Sequence, residues 1–256
     1  MTDPAVLLQR YDEQLRTDAE TQTAIDVVHL GPLLLATLAG GRGFITYRDL
    51  GGAGAAEIRE LVPQALTHYR DDAAISRVEW KTRGHDDTPG LEDALLDNGF
   101  RREETESILI GEVAVLAGEV ELPAGVTVRR ITAEDEIRAM NAMQAEVFDD
   151  QDWTPDAPLP DSGIEYWVAE AAGQIVSAGR LEPVPGTDFA GLWGGATRPG
   201  WRGHGIYRAL TAARARSALA AGITLVNVDC TEFSRPILER AGLVRVSTTT
   251  PYLWRR

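Results

Sequence analysis

A glycine-containing turn between an apolar strand and an apolar helix constrains this chain more than any other feature. The turn reads Arg202-Gly203-His204-Gly205-Ile206, and it follows a strand-like segment at 189–197 and precedes a helical segment at 207–219. Glycines in such a turn let the backbone approach a ligand, and the free amides and the dipole at the helix start attract an anion. The pattern predicts an α/β unit that binds the pyrophosphate of a nucleotide-bearing cofactor.

The distribution of charge supports an anion site at this turn. The chain has 39 acidic residues and a net charge of −14, yet residues 189–228 contain no Asp or Glu. The same stretch carries five arginines, namely Arg198, Arg202, Arg208, Arg214 and Arg216. Arginines in an acid-free segment favour a polyanionic ligand. We expect Arg202 and Arg208 to face the ligand, and Arg214 and Arg216 to lie on a solvated helix surface.

Two other nucleotide-binding motifs are missing from the sequence. A Rossmann fingerprint would need a third glycine where Arg208 stands, and a P-loop would need Gly-Lys-Ser/Thr. The single lysine, Lys81, lies in another region.

Composition excludes several classes of protein. The single cysteine, Cys230, excludes an internal disulfide framework and a cysteine-based zinc site, and we expect no metal. No apolar run approaches the length of a membrane span, and the N-terminus lacks the pattern of a signal peptide, so we expect a cytoplasmic protein without a membrane partner. The net charge of −14 argues against nucleic acid as a partner.

The turn and the segments after it resemble the GNAT superfamily of acyl-CoA N-acyltransferases. The family's loop reads Arg/Gln-x-x-Gly-x-Gly/Ala, and Arg202 to Tyr207 match it except that Tyr207 replaces the final small residue. Residues 224–229 resemble the family's next strand, and residues 234–243 resemble its closing helix, with Leu243 in place of Phe. The resemblance covers roughly residues 126–256.

This resemblance implies acetyl-CoA or another acyl-CoA as the cosubstrate. The backbone of residues 195–197 should pair with the pantetheine arm, and the amides of residues 203–207 should hold the pyrophosphate. The candidate cofactor-binding residues are Gly195, Ala196, Thr197, Arg202, Gly203, His204, Gly205, Ile206, Tyr207, Arg208, Thr231 and Ser234.

The acid and base are harder to assign from the resemblance. Many relatives carry a tyrosine on the closing helix, where Leu238 stands here. The candidate catalytic residues are Asp229, Glu182 and Tyr207. Asp229 could instead cap the following helix, and Cys230 could be either an alternative nucleophile or a small buried apolar residue. Base catalysis through a water molecule is also compatible with this set.

The first half of the chain repeats the order of elements in the second. We predict strands at 24–30, 33–38, 43–47, 75–82 and 104–111, and helices at 1–20, 55–70 and 91–98. The fold class is α/β with a mixed α+β sheet, and residues 119–256 form a complete GNAT-like domain with strands at 126–130, 164–171 and 174–183 and a helix at 133–148. Residues 1–118 form a truncated, degenerate copy, or alternatively an unrelated α+β domain. Because this copy lacks the loop arginine and carries Glu57 in the first helical turn, we expect it to bind no cofactor.

Residues 139–179 point to the chemistry of the acceptor. They contain no Lys, Arg or His, and they carry Glu146, Asp149, Asp150, Asp152, Asp156, Asp161, Glu165 and Glu170. A negative groove opposite the cofactor favours a cationic amine, although a solvated acidic loop would give the same pattern. Trp153 and Trp167 either line this groove or belong to the core.

We therefore predict an acetyl-CoA-dependent N-acetyltransferase that acts on a small-molecule or peptide amine, as a monomer or homodimer. A non-catalytic acyl-CoA-binding or regulatory protein is the alternative, and a purely structural interaction protein is a third. The identity of the acceptor and the length of the acyl chain stay open.

Overall fold

The computed structural model describes residues 2–149 and 163–256, and all of their strands join one mixed sheet. The strands are β1 Asp26–Leu30, β2 Leu33–Leu38, β3 Arg42–Tyr47, β4 Arg77–Arg83, β5 Arg101–Arg102, β6 Glu106–Glu112, β7 Val126–Ile131, β8 Glu165–Ala171, β9 Gln174–Pro183, β10 Phe189–Thr197, β11 Leu225–Cys230 and β12 Val244–Arg255. The helices are α1 Pro4–Gln14, α2 Ala55–Arg70, α3 Leu91–Asp97, α4 Val113–Leu116, α5 Glu134–Phe148, α6 Ile206–Ala220 and α7 Arg235–Arg240. The predicted α/β class with a mixed sheet is confirmed.

The first helix is shorter than predicted. It ends at Gln14, and a 3-10 turn follows at Asp18–Thr21, where the Thr17 side chain accepts a hydrogen bond from the amide of Ala19. The short elements α4 and β5 were not predicted, because two to four residues are too few to show a periodic pattern.

The strands of the two halves are exchanged at the middle of the sheet. The sheet order is β1-β2-β3-β4-β12-β6-β11-β10-β9-β8-β7, with β5 on the side of β12. The last strand of the first half, β6, therefore pairs with β11 of the second half, while β12 of the second half pairs with β4 of the first. Both halves thus contribute to the strands around β11.

The parallel pair β10 and β11 opens a gap in the sheet. These strands pair at three positions of the described backbone, from Phe189 opposite Leu225 to Gly191 opposite Asn227. A bulge interrupts β10 between Trp193 and Ala196 on its other side. Beyond Gly191 the two strands separate, which leaves room between them for a ligand.

The helices divide the sheet into two faces. On the first face, α2 and α3 cover a core around Trp80 and Tyr252, while α6 and α7 cover a core around Val226 and Leu238. On the second face, α1 packs against Ile108 and Phe189, and α5 packs against β8 and β9.

Candidate active site

A cavity of about 860 Å³ lies where β10 ends and α6 and α7 begin. Eleven of the twelve predicted cofactor-binding residues line it: Gly195, Ala196, Thr197, Arg202, Gly203, Gly205, Ile206, Tyr207, Arg208, Thr231 and Ser234. The twelfth, His204, lies outside the lining. The structure thus brings β10, the glycine turn and the residues before α7 into one site, although which of them bind a cofactor stays a prediction.

The glycine turn leaves its amides available to a ligand. Gly203 and Gly205 have φ angles of +80° and +77°, which favour glycine strongly. Gly205 is the N-cap of α6 and offers no side chain to satisfy the first amides of that helix. Since the first turn of α6 also lacks an acidic residue, these amides and the helix dipole are free to meet an anion.

The bulge in β10 is held from the second face. Gly194 has a φ of +61°, and its carbonyl oxygen accepts a 2.5 Å hydrogen bond from Nε2 of Gln144, a buried residue of α5. On the first face the Tyr207 ring lies against Gly195, since a Cβ built there would be 2.8 Å from Cε2 of the ring. The tyrosine that replaces the small residue of the loop pattern thus packs directly on the bulge.

The arginines of the acid-free segment have different surroundings. Arg202 donates through Nε to the carbonyl of Thr197 at 3.0 Å, and both Arg202 and Arg208 line the cavity. Arg216 is exposed, as predicted. The prediction of a solvated side chain is wrong for Arg214, which is 1 % exposed and donates to the carbonyl of Arg180. Gly179 makes this possible, because any Cβ there would lie 2.7 Å from the guanidinium.

Residues outside the predicted set also line the cavity. They are Glu104 of the first half, Val147 and Phe148 at the end of α5, Trp201 in the turn, and Phe233, Ile237, Arg240 and Ala241 around α7. Arg240 could have been found from its place in the closing helix. Glu104 reaches the cavity because it directly precedes β6, which pairs with β11 of the second half. A local sequence pattern could not show this.

Comparison with known proteins identifies the region around this cavity. Residues 130–242 match the model of the acetyltransferase (GNAT) family. The region around the cavity thus resembles the GNAT acetyltransferases in sequence. No curated protein sequence matches the chain significantly.

Solved structures share the fold over nearly the whole chain. A GCN5-related N-acetyltransferase from Kribbella flavida is 18 % identical, with a TM-score of 0.70 over 98 % of this chain and 95 % of that one. A GCN5-related N-acetyltransferase-like protein from Streptococcus suis is 15 % identical, with a TM-score of 0.62 over 98 % of both chains. A tandem GNAT protein from the clavulanic acid biosynthesis pathway is 15 % identical, with a TM-score of 0.61 over 98 % and 95 %. These proteins therefore share the fold of both halves of this chain.

The three candidate catalytic residues occupy different places. Tyr207 lines the cavity, and burial raises the pKa of its hydroxyl while the Arg214 guanidinium partly offsets this. Glu182 forms an ion pair with Arg180 on β9, outside the cavity lining. Asp229 forms an ion pair with Lys81 at 2.6 Å, and the N-cap of α7 is Ser234, so Asp229 does not cap that helix.

Cys230 and Leu238 both belong to the core beside α6 and α7. Burial, followed by the nearby Asp229 and Glu106 carboxylates, raises the pKa of the Cys230 thiol to about 12. Because a nucleophilic cysteine must form a thiolate, the structure favours the buried apolar interpretation of Cys230.

A group of residues on the second face was not predicted to come together, although Asp229 was a candidate catalytic residue. We call Glu79, Lys81, Glu106, Trp193 and Asp229 the junction cluster, because they come from both halves of the chain. Nζ of Lys81 lies 2.6 Å from Asp229 and 5.8 Å from the centroid of the Trp193 ring. Burial favours the neutral amine of Lys81, but Asp229 more than offsets this and raises its pKa.

The two carboxyl groups of the first half complete this cluster. Burial raises the pKa of Glu79, and burial together with Asp229 raises the pKa of Glu106 to about 7. In sequence, the only hint was the alternation of charged residues with Trp80 in β4, which places Glu79 and Lys81 on one face.

The acidic segment is described only in part. Asp150, Asp152, Trp153, Asp156 and Asp161 lie outside the described residues. Of the others, Glu146 pairs with Arg198, Glu165 with Arg130 and Glu170 with Arg129, at 2.6 to 2.9 Å. Trp167 donates through its indole N–H to Glu165 at 2.9 Å.

The described residues form neither a metal centre nor a helix that could span a membrane. Nowhere in residues 2–149 and 163–256 do three His, Cys, Asp or Glu side chains come together as a metal site would require. None of the helices in these ranges combines the length and apolar character needed to cross a membrane.

Proposed function

We propose that this chain transfers the acetyl group of acetyl-CoA to an amine. One observation carries the proposal: the end of β10, the unsatisfied amides at the start of α6 and the residues before α7 line a single cavity in the region that resembles the GNAT acetyltransferases. A volume of about 860 Å³ lies within the range of sites that bind cofactor-sized ligands.

In this proposal the two ends of the cavity hold different parts of the cosubstrate. The amides of residues 203–207 and the side chain of Arg208 bind the pyrophosphate, because free amides, a helix dipole and a guanidinium all favour its charge. The backbone of residues 195–197 follows the pantetheine arm toward the bulge. The thioester then lies beside Gly194 and Gly195, where β10 and β11 separate.

Tyr207 is the proton donor that this arrangement favours for the leaving thiolate. Its hydroxyl lies 3.3 Å from the Cβ position at Gly195 and is therefore beside the proposed path of the thiol. The raised pKa keeps the hydroxyl protonated at neutral pH, as a general acid requires. The amine attacks the carbonyl carbon, the C–S bond breaks, and the thiolate takes a proton.

Calorimetric titration with acetyl-CoA, free CoA and a longer acyl-CoA tests the site. We expect micromolar binding of acetyl-CoA that falls at least tenfold in Arg202→Glu, since this change places a carboxylate among the pyrophosphate-binding groups. Arg216→Glu is the matched control, because Arg216 belongs to the same acid-free segment but lies outside the lining of the cavity. Unchanged affinity in Arg202→Glu would show that the site is assigned wrongly.

The second candidate function is binding of acyl-CoA without turnover. It is favoured by one observation, the buried Leu238 at the position of the family's catalytic tyrosine. It predicts that acetyl-CoA binds but that no CoA is released with small amines, an aminoglycoside, a peptide with a free N-terminus or a protein lysine. Release with any of these acceptors would exclude it and would name the acceptor class.

A further inference from the structure

Polar residues lie on the second face of the sheet, beside the gap between β10 and β11. β6 supplies part of it: Ser107 pairs with Cys230, the last residue of β11, and Glu106 is the next residue of that strand. Glu106 thus lies beside the end of β11 that does not pair with β10. Ile108, two residues further on, packs under α1, so Glu106 points to the same second face.

Two buried oxygen atoms on this face lack a partner. Asn227 and Asp229 lie directly opposite Ile110 and Ile108 in the β6–β11 pair, and so they share the second face with Glu106. Among the described residues, neither Oδ1 of Asn227 nor Oδ1 of Asp229 has a hydrogen-bond partner. Asn227 is 5 % exposed, and the side chain of Asp229 is 7 % exposed. Unsatisfied buried oxygens are costly, and these two oxygens can accept hydrogen bonds from the N–H or O–H groups of a ligand.

The carboxyl groups around these atoms differ in whether they form an ion pair. Oδ2 of Asp229 is held by Lys81 at 2.6 Å, and Glu20 of the same buried region is paired with Arg83. Within the described residues, the Glu106 carboxyl takes part in no ion pair. Its charged neighbours are Asp229 on β11, Lys81 and Glu79 on β4, and Glu104 just before β6. Glu79 also forms no ion pair among the described residues, but it lies on β4, two strands away from β6. Glu106 is therefore the carboxyl next to β11 that can exchange a proton without breaking an ion pair.

We propose that Glu106, supplied by the exchanged strand of the first half, accepts the proton of an amine that enters the gap from the second face. This inference rests on the proposed function and names the base for that reaction. The first half is then a part of the catalytic site, although it is expected to bind no cosubstrate of its own.

In the proposed reaction the acceptor nitrogen loses two protons, one C–N bond forms and one C–S bond breaks. The ammonium group of the acceptor gives one proton to the Glu106 carboxylate and becomes a neutral amine. Its lone pair forms the C–N bond at the thioester carbonyl, and the C–S electron pair leaves with the sulfur. The second proton of the nitrogen goes to the thiolate through Tyr207, and Glu106 returns its proton to solvent. The products are an amide, CoA and one proton.

The surroundings of Glu106 suit this role. A base works best when its pKa lies near the operating pH, and burial together with Asp229 raises the pKa of Glu106 to about 7. The unpartnered oxygens on β11 would accept the remaining N–H groups of the amine, and the Trp193 ring would border it. A carboxylate, two oxygen acceptors and an aromatic face together favour a primary amine over a neutral alcohol.

The test compares wild type, Glu106→Gln, Glu106→Asp and Glu112→Gln between pH 5.5 and 9. Glu112 is the control, because it lies on the same strand and is exposed. The reactions contain acetyl-CoA with spermidine, tyramine or a peptide with a free N-terminus, and CoA release is followed with a thiol reagent. Calorimetry with acetyl-CoA and thermal melting establish that each variant is folded and binds the cosubstrate.

We expect kcat/KM of wild type to rise with pH around 7, and Glu106→Gln to lower it at least 100-fold and to remove this rise. Glu106→Asp should restore part of the rate, Glu112→Gln should match wild type, and all variants should keep the affinity for acetyl-CoA. A Glu106→Gln enzyme within threefold of wild type, with the same pH profile, would overturn the inference and leave the proposed function standing.

Other outcomes separate the two proposals. If no amine reacts, hydrolysis of acetyl-CoA by water is compared in the same variants, and we expect its loss in Glu106→Gln. A wild type that binds acetyl-CoA but consumes none with amines or water overturns the role of Glu106 and favours the non-catalytic binder. A wild type that does not bind acetyl-CoA overturns both proposals.

Discussion

Glu106→Gln should change how the stability of the protein depends on pH. An ordinary glutamate has a pKa of about 4.5, whereas burial and Asp229 raise that of Glu106 to about 7 in the folded protein. Between these values the folded protein binds more protons than the unfolded chain, so the free energy of unfolding falls as the pH rises. This loss begins near pH 4.5 and is complete above pH 7.

The size of the effect follows from the two pKa values. At about 1.4 kcal/mol per pH unit, a carboxyl with these values loses about 2.5 kcal/mol of stabilisation between pH 5 and pH 8. Glutamine cannot ionise and therefore does not lose it. We expect Glu106→Gln to become more stable relative to wild type by roughly this amount over the same pH range.

Urea unfolding of wild type and Glu106→Gln at pH 5, 6, 7 and 8 measures this difference. Other titrating groups are present in both proteins, so their contributions cancel in the comparison. Glu112→Gln should track wild type at every pH, because Glu112 is exposed. A difference between Glu106→Gln and wild type that stays constant within about 0.5 kcal/mol would refute the reasoning about the burial of Glu106.

Three further predictions concern other parts of the site. Gly195→Ala should weaken acetyl-CoA binding at least tenfold in a calorimetric titration, since its Cβ would lie 2.8 Å from the neighbouring tyrosine ring; Gly200→Ala, with nothing within 4 Å, should bind normally. Lys81→Met should cost about 3 to 5 kcal/mol in urea unfolding because it leaves Asp229 buried without its cation, and adding Asp229→Asn should recover much of the loss; equal stability of the single and double variants would contradict this. Cys230, with a pKa of about 12, should resist Ellman's reagent at pH 8 until the protein unfolds, and rapid labelling of the native protein would show that the thiol is accessible.

The glycine turn between β10 and α6 was predictable because its information is local. A strand, two glycines and a helix start occupy consecutive residues, and each has its own steric or electrostatic signature. The same is true of α2, which begins and ends at the predicted residues, 55 and 70. These elements need no knowledge of distant partners.

The rest of the site depends on long-range pairing. Lys81 and Asp229 are 148 residues apart, and they meet because β6 and β12 are exchanged between the halves. Nothing in the alternation of β4 specifies which strand will lie beside it. The burial of Arg214 has the same origin, since the space it fills is left by Gly179 on β9.

The exchange of β6 and β12 has a consequence for how the protein is made. When the ribosome has completed residues up to 112, β4 has no neighbour on its inner side, and β6 has neither of its two partners. Aromatic residues of the first core, such as Trp80, are then only partly covered until Tyr252 and Trp254 emerge. A nascent chain with an open strand edge is prone to aggregate, so we expect the first half to benefit from protection until β12 has been made.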